Sequence, residues 1–317
     1  MNDEEDDVLI ISYGTDDMTP GMENLRKSLK LWNYSYSIIG IGEKWLNYIT
    51  KTKAFLKEIK LQDPERIICI IDCYDVLACG PRAELCRKYL RARKPIVVGA
   101  VAKLEKNGAE LERWWRKKDL ENRNKPIETS LKYLNSGCII GRVKYIRTML
   151  EYIINFYNRT HITDDQIALC HFVEESPEFF ELDINSSLFG NITTTDSSEF
   201  SVLPKKLLEG TPRVMDMRKL RRPCLVHIPA KESDLMMRMN IFGKKLLGDV
   251  YTSVGMMTIV KKKFSNLMKP NNRMSLITLI ITIVGIVILC CYSSKYGAVI
   301  LDLVLSFISS YAMGVFF

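Results

Sequence analysis

The run RIICIIDCYDV sets Asp72 and Asp75 three positions apart, just where a very apolar strand would end. Carboxylates that close repel one another unless a cation lies between them, and two such oxygens can reach one hard divalent ion. Without a cation, Asp75 would cap a turn and Asp72 would be solvated; the residues alone fit either reading. His227 closes another apolar run, CLVH, far downstream. If the two strands end at one sheet edge, its imidazole can complete a site begun by the aspartates. A mixed oxygen and nitrogen set suits Mn2+ better than Mg2+ or Ca2+. A lone strand-end histidine also reads as a satisfied structural residue. Asp164 and Asp165, in ITDDQIAL, open an expected helix, where they either complement the helix dipole or put one carboxylate near a substrate hydroxyl. Asn135-Ser136-Gly137 has the chemistry of a turn, and equally suits a backbone that comes close to a ligand.

These residues need a scaffold that brings strand ends together, and the patterning supplies one. Strands are expected at Val8–Ser12, Tyr36–Ile41, Arg66–Ile71, Pro95–Val101, after the Asn135 turn, at Phe179–Asp183 and at Leu225–His227. Helical spacing falls at Met22–Trp32, Thr52–Leu61, Pro81–Arg93 and Tyr145–Tyr157, with a further helix opening near Asp164. The alternation predicts an α/β fold, a mostly parallel sheet flanked by helices, with ligands beyond the carboxyl ends of the strands. Leu104–Thr129, charged and Trp-containing, reads as loop and short helix, an acceptor-facing insertion.

Composition narrows the class. With 317 residues, 47% apolar and 26% charged, the chain can bury a large core, so disorder is not its main state. Nine cysteines without a CxxC pair read as reduced, small apolar residues and not as a disulfide framework. The net charge of +8 suits phosphates, an anionic membrane surface or nucleic acid. Much of that excess lies near the C-terminus, and no aromatic-basic platform is evident, so no nucleic-acid partner is expected.

The ends differ. Residues 1–7 are acidic and lack the features of a cleavable signal. At the other end, Leu276–Tyr292 carries no charge and Ala298–Phe317 carries only Asp302. Each approaches the roughly 20 residues that cross a bilayer. The expected organisation is an acidic segment 1–7, a folded domain 8–250, a basic juxtamembrane linker 251–273 and a membrane anchor 274–317 made of two apolar segments, a C-terminal transmembrane helical hairpin. Lys261, Lys262, Lys263, Lys269 and Arg273 would keep the folded domain on the cytosolic side; four N-x-S/T sequons, Asn191 among them, speak for the lumen.

In order along residues 8 to 245, VLIISYGT, WNYSYSIIGIGEKW, IIDCYDVLACGP, YLNSGCIIG, TDDQ, LDINSSLFGNI and VHIPAK resemble the glycosyltransferase domain of the procollagen lysyl hydroxylase/glycosyltransferases and the related collagen galactosyltransferases. The resemblance implies a GT-A type fold that uses UDP-sugar and Mn2+, transferring a hexose, glucose or galactose, to a hydroxyl of a protein or glycan acceptor such as hydroxylysine. It implies Asp72, Asp75 and His227 as metal ligands, with Tyr13, Gly14, Thr15, Cys73 and Tyr74 beside the nucleotide and Lys231 at the diphosphate. Asp164 and Asp165 would lie at the sugar or acceptor, and Asn135 in a sugar-side turn. Trp45 matches a family tryptophan. The remaining length holds no hydroxylase domain, so lysine hydroxylation is not expected. A second reading, a membrane-tethered nucleotide-sugar-binding protein without turnover, follows from the short HIPAK segment after the metal-binding histidine.

Overall fold

Strand β1 (Val8–Tyr13) is buried at every position, as is β3 (Ile67–Asp72) except for its terminal Asp72. Such unbroken Ile, Val and Leu runs belong to strands covered on both faces. The computed structural model describes residues 7–101, 133–192, 200–203, 211–228 and 233–253. The expected insertion at 104–129, Lys231, and the linker and anchor from 254 onward lie outside the described residues, as do Met1 to Asp6. Among the described residues no helix is long and apolar enough to cross a membrane.

The main sheet adds β2 (Ser35–Ile39), β5 (Ile96–Val101), β6 (Tyr133–Arg142) and β7 (Phe180–Asp183) in the order β2-β1-β3-β6-β5-β7. The pairs β1/β2, β1/β3 and β5/β7 are parallel, but β6 runs antiparallel to both its neighbours. Five of the six strands therefore share one direction, in keeping with the mostly parallel expectation, and the reversed β6 makes the sheet mixed. The apolar run CIIG carries no signal of strand direction, so its residues could not give its polarity.

Alternate residues of each strand feed opposite layers. Leu9, Ile11, Ile68 and Ile70 meet residues of α2 (Tyr48–Ile59), α4 (Val143–Thr160) and α5 (Asp165–Glu175); Val8, Ile10, Cys69 and Ile71 meet α1 (Pro20–Leu31) and α3 (Arg82–Tyr89). Local sequence starts these helices where they start. Thr19 caps α1 through Met22 N, ahead of Pro20, and Asn47 caps α2 through Thr50 N. Helix α4 buries Ile146, Met149, Leu150 and Ile153, the spacing of one helical stripe.

A second, three-stranded sheet brings distant parts of the chain together. Its centre, β11 (Leu225–His227), lies antiparallel to β4 (Val76–Ala78) and parallel to β8 (Phe189–Asn191). Behind it packs α6 (Ser233–Leu247), through Met239, Phe242 and Leu246 on Leu77 and Val226. Strands β9 (Phe200–Leu203) and β10 (Arg213–Asp216) form an antiparallel pair. All seven described cysteines are buried free thiols, in keeping with the sequence reading.

Candidate functional site

Strand β3 ends at Asp72, and three residues later Asp75 leads into β4, which pairs with β11 so that Val76 faces His227. Ile228 N donates to Asp75 O at 2.9 Å, fixing the two chain segments side by side. Two carboxylates and an imidazole, remote in sequence, thereby offer ligand atoms that all lie within 4.8 Å of one another. The imidazole Nε2 stands 3.5 Å from Asp75 Oδ1 and 3.8 Å from Asp72 Oδ2, beyond hydrogen-bonding range but near enough to share an ion.

The other ring nitrogen decides the tautomer. His227 Nδ1 lies 3.0 Å from Asn135 Oδ1 and 3.1 Å from Asn191 Oδ1. Both amides are oriented by the backbone: Gly137 N donates to Asn135 Oδ1, and Asn191 Nδ2 donates to Ala100 O. Two carbonyl oxygens facing Nδ1 require a proton there, so in the neutral ring the lone pair sits on Nε2 and faces the carboxylates. That arrangement is repulsive by itself and favourable around a divalent cation, and it is how metal-ligating histidines are commonly oriented. The residues fit such an ion.

Gly137 makes room for this ring. A Cβ at 137 would stand 2.6 Å from His227 Nδ1 and 3.0 Å from Asn135 Oδ1. The turn expected at 135–137 is instead part of β6. The pairing of β6 with β5 jumps from Val98↔Ile139 to Gly99↔Asn135, so Ser136, Gly137 and Cys138 bulge within the strand. The short polar residues and the glycine serve that bulge, and Asn135 turns toward His227.

A residue without any motif joins the cluster. Lys51, on α2 and buried, places Nζ 2.7 Å from Asp165 Oδ2 and 3.3 Å from Asp72 Oδ1. Burial disfavours its ammonium, but the pull of Asp165 and then Asp72 outweighs this and raises its pKa above the ordinary lysine value. Asp165 is thus tied to the candidate ligands through Lys51. Asp164 caps α5, accepting from Gln166 N at 2.9 Å and Ile167 N at 3.2 Å. Gln166 Oε1 accepts from Ser136 N on the bulge.

The residues expected beside a nucleotide also converge, at the carboxyl ends of β1 and β3. Tyr74 Oη accepts from Thr15 N at 2.9 Å and Asp16 N at 3.0 Å. Gly14 has Met22, Cys73 and Tyr74 where a Cβ would go, and the Cys73 thiol is buried beneath it, so Cys73 packs the loop from inside. The Tyr13 hydroxyl donates to Glu43, and burial followed by that carboxylate pushes its pKa up to about 12. Trp45, 45% exposed, lies 6.0 Å from Tyr13 and 5.5 Å from Tyr48 between ring centres, forming an aromatic wall. Lys51, Glu43 and the pairing of Asn191 with His227 escape sequence reading. For Asn191 the available signal is a polar residue inside the apolar run LFGNI; Lys51 has none.

A mixed α/β sheet with an Asp-Asp-His cluster at its carboxyl edge and an aromatic-lined loop beside it defines the class, a GT-A-like glycosyltransferase fold. The chain belongs to the PLOD GT domain family, whose model matches residues 4–246. It is similar to human procollagen-lysine,2-oxoglutarate 5-dioxygenase 2, 25% identical over 172 residues, 51% of this chain and 21% of that protein. It is 30% identical to human procollagen-lysine,2-oxoglutarate 5-dioxygenase 1 over 148 residues, 43% of this chain and 19% of that one. With human multifunctional procollagen lysine hydroxylase and glycosyltransferase LH3 it shares 25% identity over 170 residues, 50% of this chain and 21% of that one. The matches thus span about a fifth of these curated relatives. Among solved structures, a glycosyltransferase involved in glycosylation of the major capsid of PBCV-1 matches at TM-score 0.45 and 10% identity, covering 74% of this chain and 99% of that one. Mouse xyloside xylosyltransferase 1 matches at TM-score 0.41 and 11% identity, covering 71% and 97%.

Proposed function

We propose that this protein is a metal-dependent glycosyltransferase that moves a hexose, glucose or galactose, from a UDP-sugar to a hydroxyl on a protein or glycan. The observation that carries the reading is the oriented imidazole, with Nδ1 engaged by two amide oxygens and Nε2 directed at Asp72 and Asp75. Those three side chains would hold the ion, and the mixed donor set favours Mn2+. When bound, a divalent cation supplies charge stabilisation for the departing diphosphate. Tyr13, Gly14, Thr15 and Tyr74 would form the nucleotide side, with Cys73 supporting the loop from below and Lys231 reaching the diphosphate.

Lys51 holds Asp72 through Oδ1, while the imidazole faces Oδ2, and it holds Asp165 near the site. Asp165, with Asp164 at the same helix start, would orient the sugar or the acceptor hydroxyl. Asn135 acts through His227. The uncharged run Leu276–Tyr292 and the basic residues before it favour an anchor in the membrane, with residues 8–250 facing the cytosol.

The test is UDP release from UDP-glucose and UDP-galactose by the full chain with added Mn2+. Wild type should turn over one of them and lose the activity on chelation. Asp72→Asn should lose at least about a hundredfold, the scale for removing one group that stabilises developing charge. Equal turnover by that variant overturns the metal site.

A further inference from the structure

Between β10 and β11 the chain makes a tight basic loop whose chemistry the proposed transfer reaction does not use. Asp216 and Arg221 pair through their backbones, and Asp216 Oδ1 accepts from Arg218 N and Lys219 N at 3.0 and 3.1 Å, so the loop has a fixed shape. At its tip Leu220 takes a left-handed backbone, φ 53°, and is 67% exposed; Met217 is 42% exposed. A leucine in that conformation is strained, and here no burial compensates for the strain. Arg221 and Arg222 beside it are exposed too.

Neighbouring α3 extends the positive surface. Lys88 Nζ donates to Arg222 O, and exposed Arg91 follows one turn later, its N–H on Lys88 O. The nearby carboxylates are already engaged. Glu84 is held by Arg213 at 2.8 Å and Lys88 at 2.7 Å, and Asp216 is buried as the loop's own cap.

We propose that this loop docks on an anionic lipid surface, Leu220 and Met217 entering the headgroup layer and Arg221, Arg222 and Arg91 meeting lipid phosphates and carboxylates. Apolar tips ringed by cations are the combination that interfacial binding uses, each basic residue adding electrostatic attraction. Base stacking would need aromatic side chains, and the loop has none, which argues against RNA. The sequence beyond the described residues favours a bilayer by its own chemistry. Described structure ends at Ser253, after Asn24 and Lys27 of α1 have gripped Thr252 and Val250. The sequence then runs through Lys261–Lys263, Lys269 and Arg273 into uncharged Leu276–Tyr292. The loop precedes β11 and His227 ends it, so docking occupies the edge away from the candidate ligands.

Hydrogen exchange of amides 217–222 tests this on the full chain, mixed with vesicles of phosphatidylcholine alone or with phosphatidylserine. Phosphatidylserine should slow exchange about tenfold, the effect of one to two basic side chains at an anionic surface, and phosphatidylcholine alone should not. The triple variant Leu220→Ser, Arg221→Glu, Arg222→Glu should lose the protection while its circular dichroism and urea midpoint stay those of wild type. Equal exchange with both vesicles overturns the proposal, as does protection by an RNA oligonucleotide that matches or exceeds protection by the anionic vesicles.

Discussion

At the scale of single residues, the imidazole of His227 is oriented as a candidate ligand because its far side is held. Asn191→Ala removes one of two acceptors at Nδ1, loosens the hold on the ring and leaves the carboxylates untouched. Mn2+ affinity, read as free Mn2+ by electron paramagnetic resonance, should fall about 10- to 100-fold with the far-ultraviolet circular dichroism unchanged. Lys51 makes a different prediction, about stability. Lys51→Met leaves buried Asp165 without its cation and should cost roughly 3–5 kcal/mol in urea unfolding; adding Asp165→Leu should restore most of it. Asp72, Asp75 and His227 were legible because each follows an apolar strand. Lys51 was not, because a lysine on a charged helix looks like any solvated one until the fold buries it. The acidic pair of TDDQ divides its roles by position: Asp164 faces its own helix backbone as a cap, and Asp165 faces Lys51.

At the scale of elements, the bulge in β6 sets the height of the histidine. Gly137→Ala would drive a methyl group into the ring of His227, forcing either the ring or the strand to move. Thermal unfolding should shift down by only a few degrees, the equivalent of about 1–2 kcal/mol. Metal affinity should fall at least tenfold, so a variant that lost stability alone would contradict this account of the bulge. The sequence announced Asn-Ser-Gly as a turn for sound local reasons, and those propensities serve a bulge equally well. Which partner β6 meets, and in which direction, depends on crossovers through distant parts of the chain. Helix starts, by contrast, were readable from Asp164, and Thr19 and Asn47 show the same local chemistry at α1 and α2.

At the scale of the whole molecule, Glu84 and Arg213 join α3 to β10, 129 positions apart, with Lys88 as a second partner. Burial pushes the Glu84 carboxyl up, but the hydrogen bonds from Arg213 and Lys88 win and hold it at about 2, against an ordinary value of 4.5. A depressed carboxyl favours the fold wherever the unfolded chain is also ionised. Its contribution is therefore fully present above pH 4.5 and drains away as pH falls toward 2. Urea midpoints from pH 7 to pH 3 should fall in wild type and fall less steeply in Glu84→Gln.

The small sheet also imposes an order in time. A nascent chain completed as far as Ile192 already carries Asp72, Asp75 and both amides, yet the ring they await arrives only when β11 slides between β4 and β8. The candidate cradle is thereby incomplete until β11, the last of the described strands, is in place, so a polypeptide that ends before it cannot bring the three side chains together.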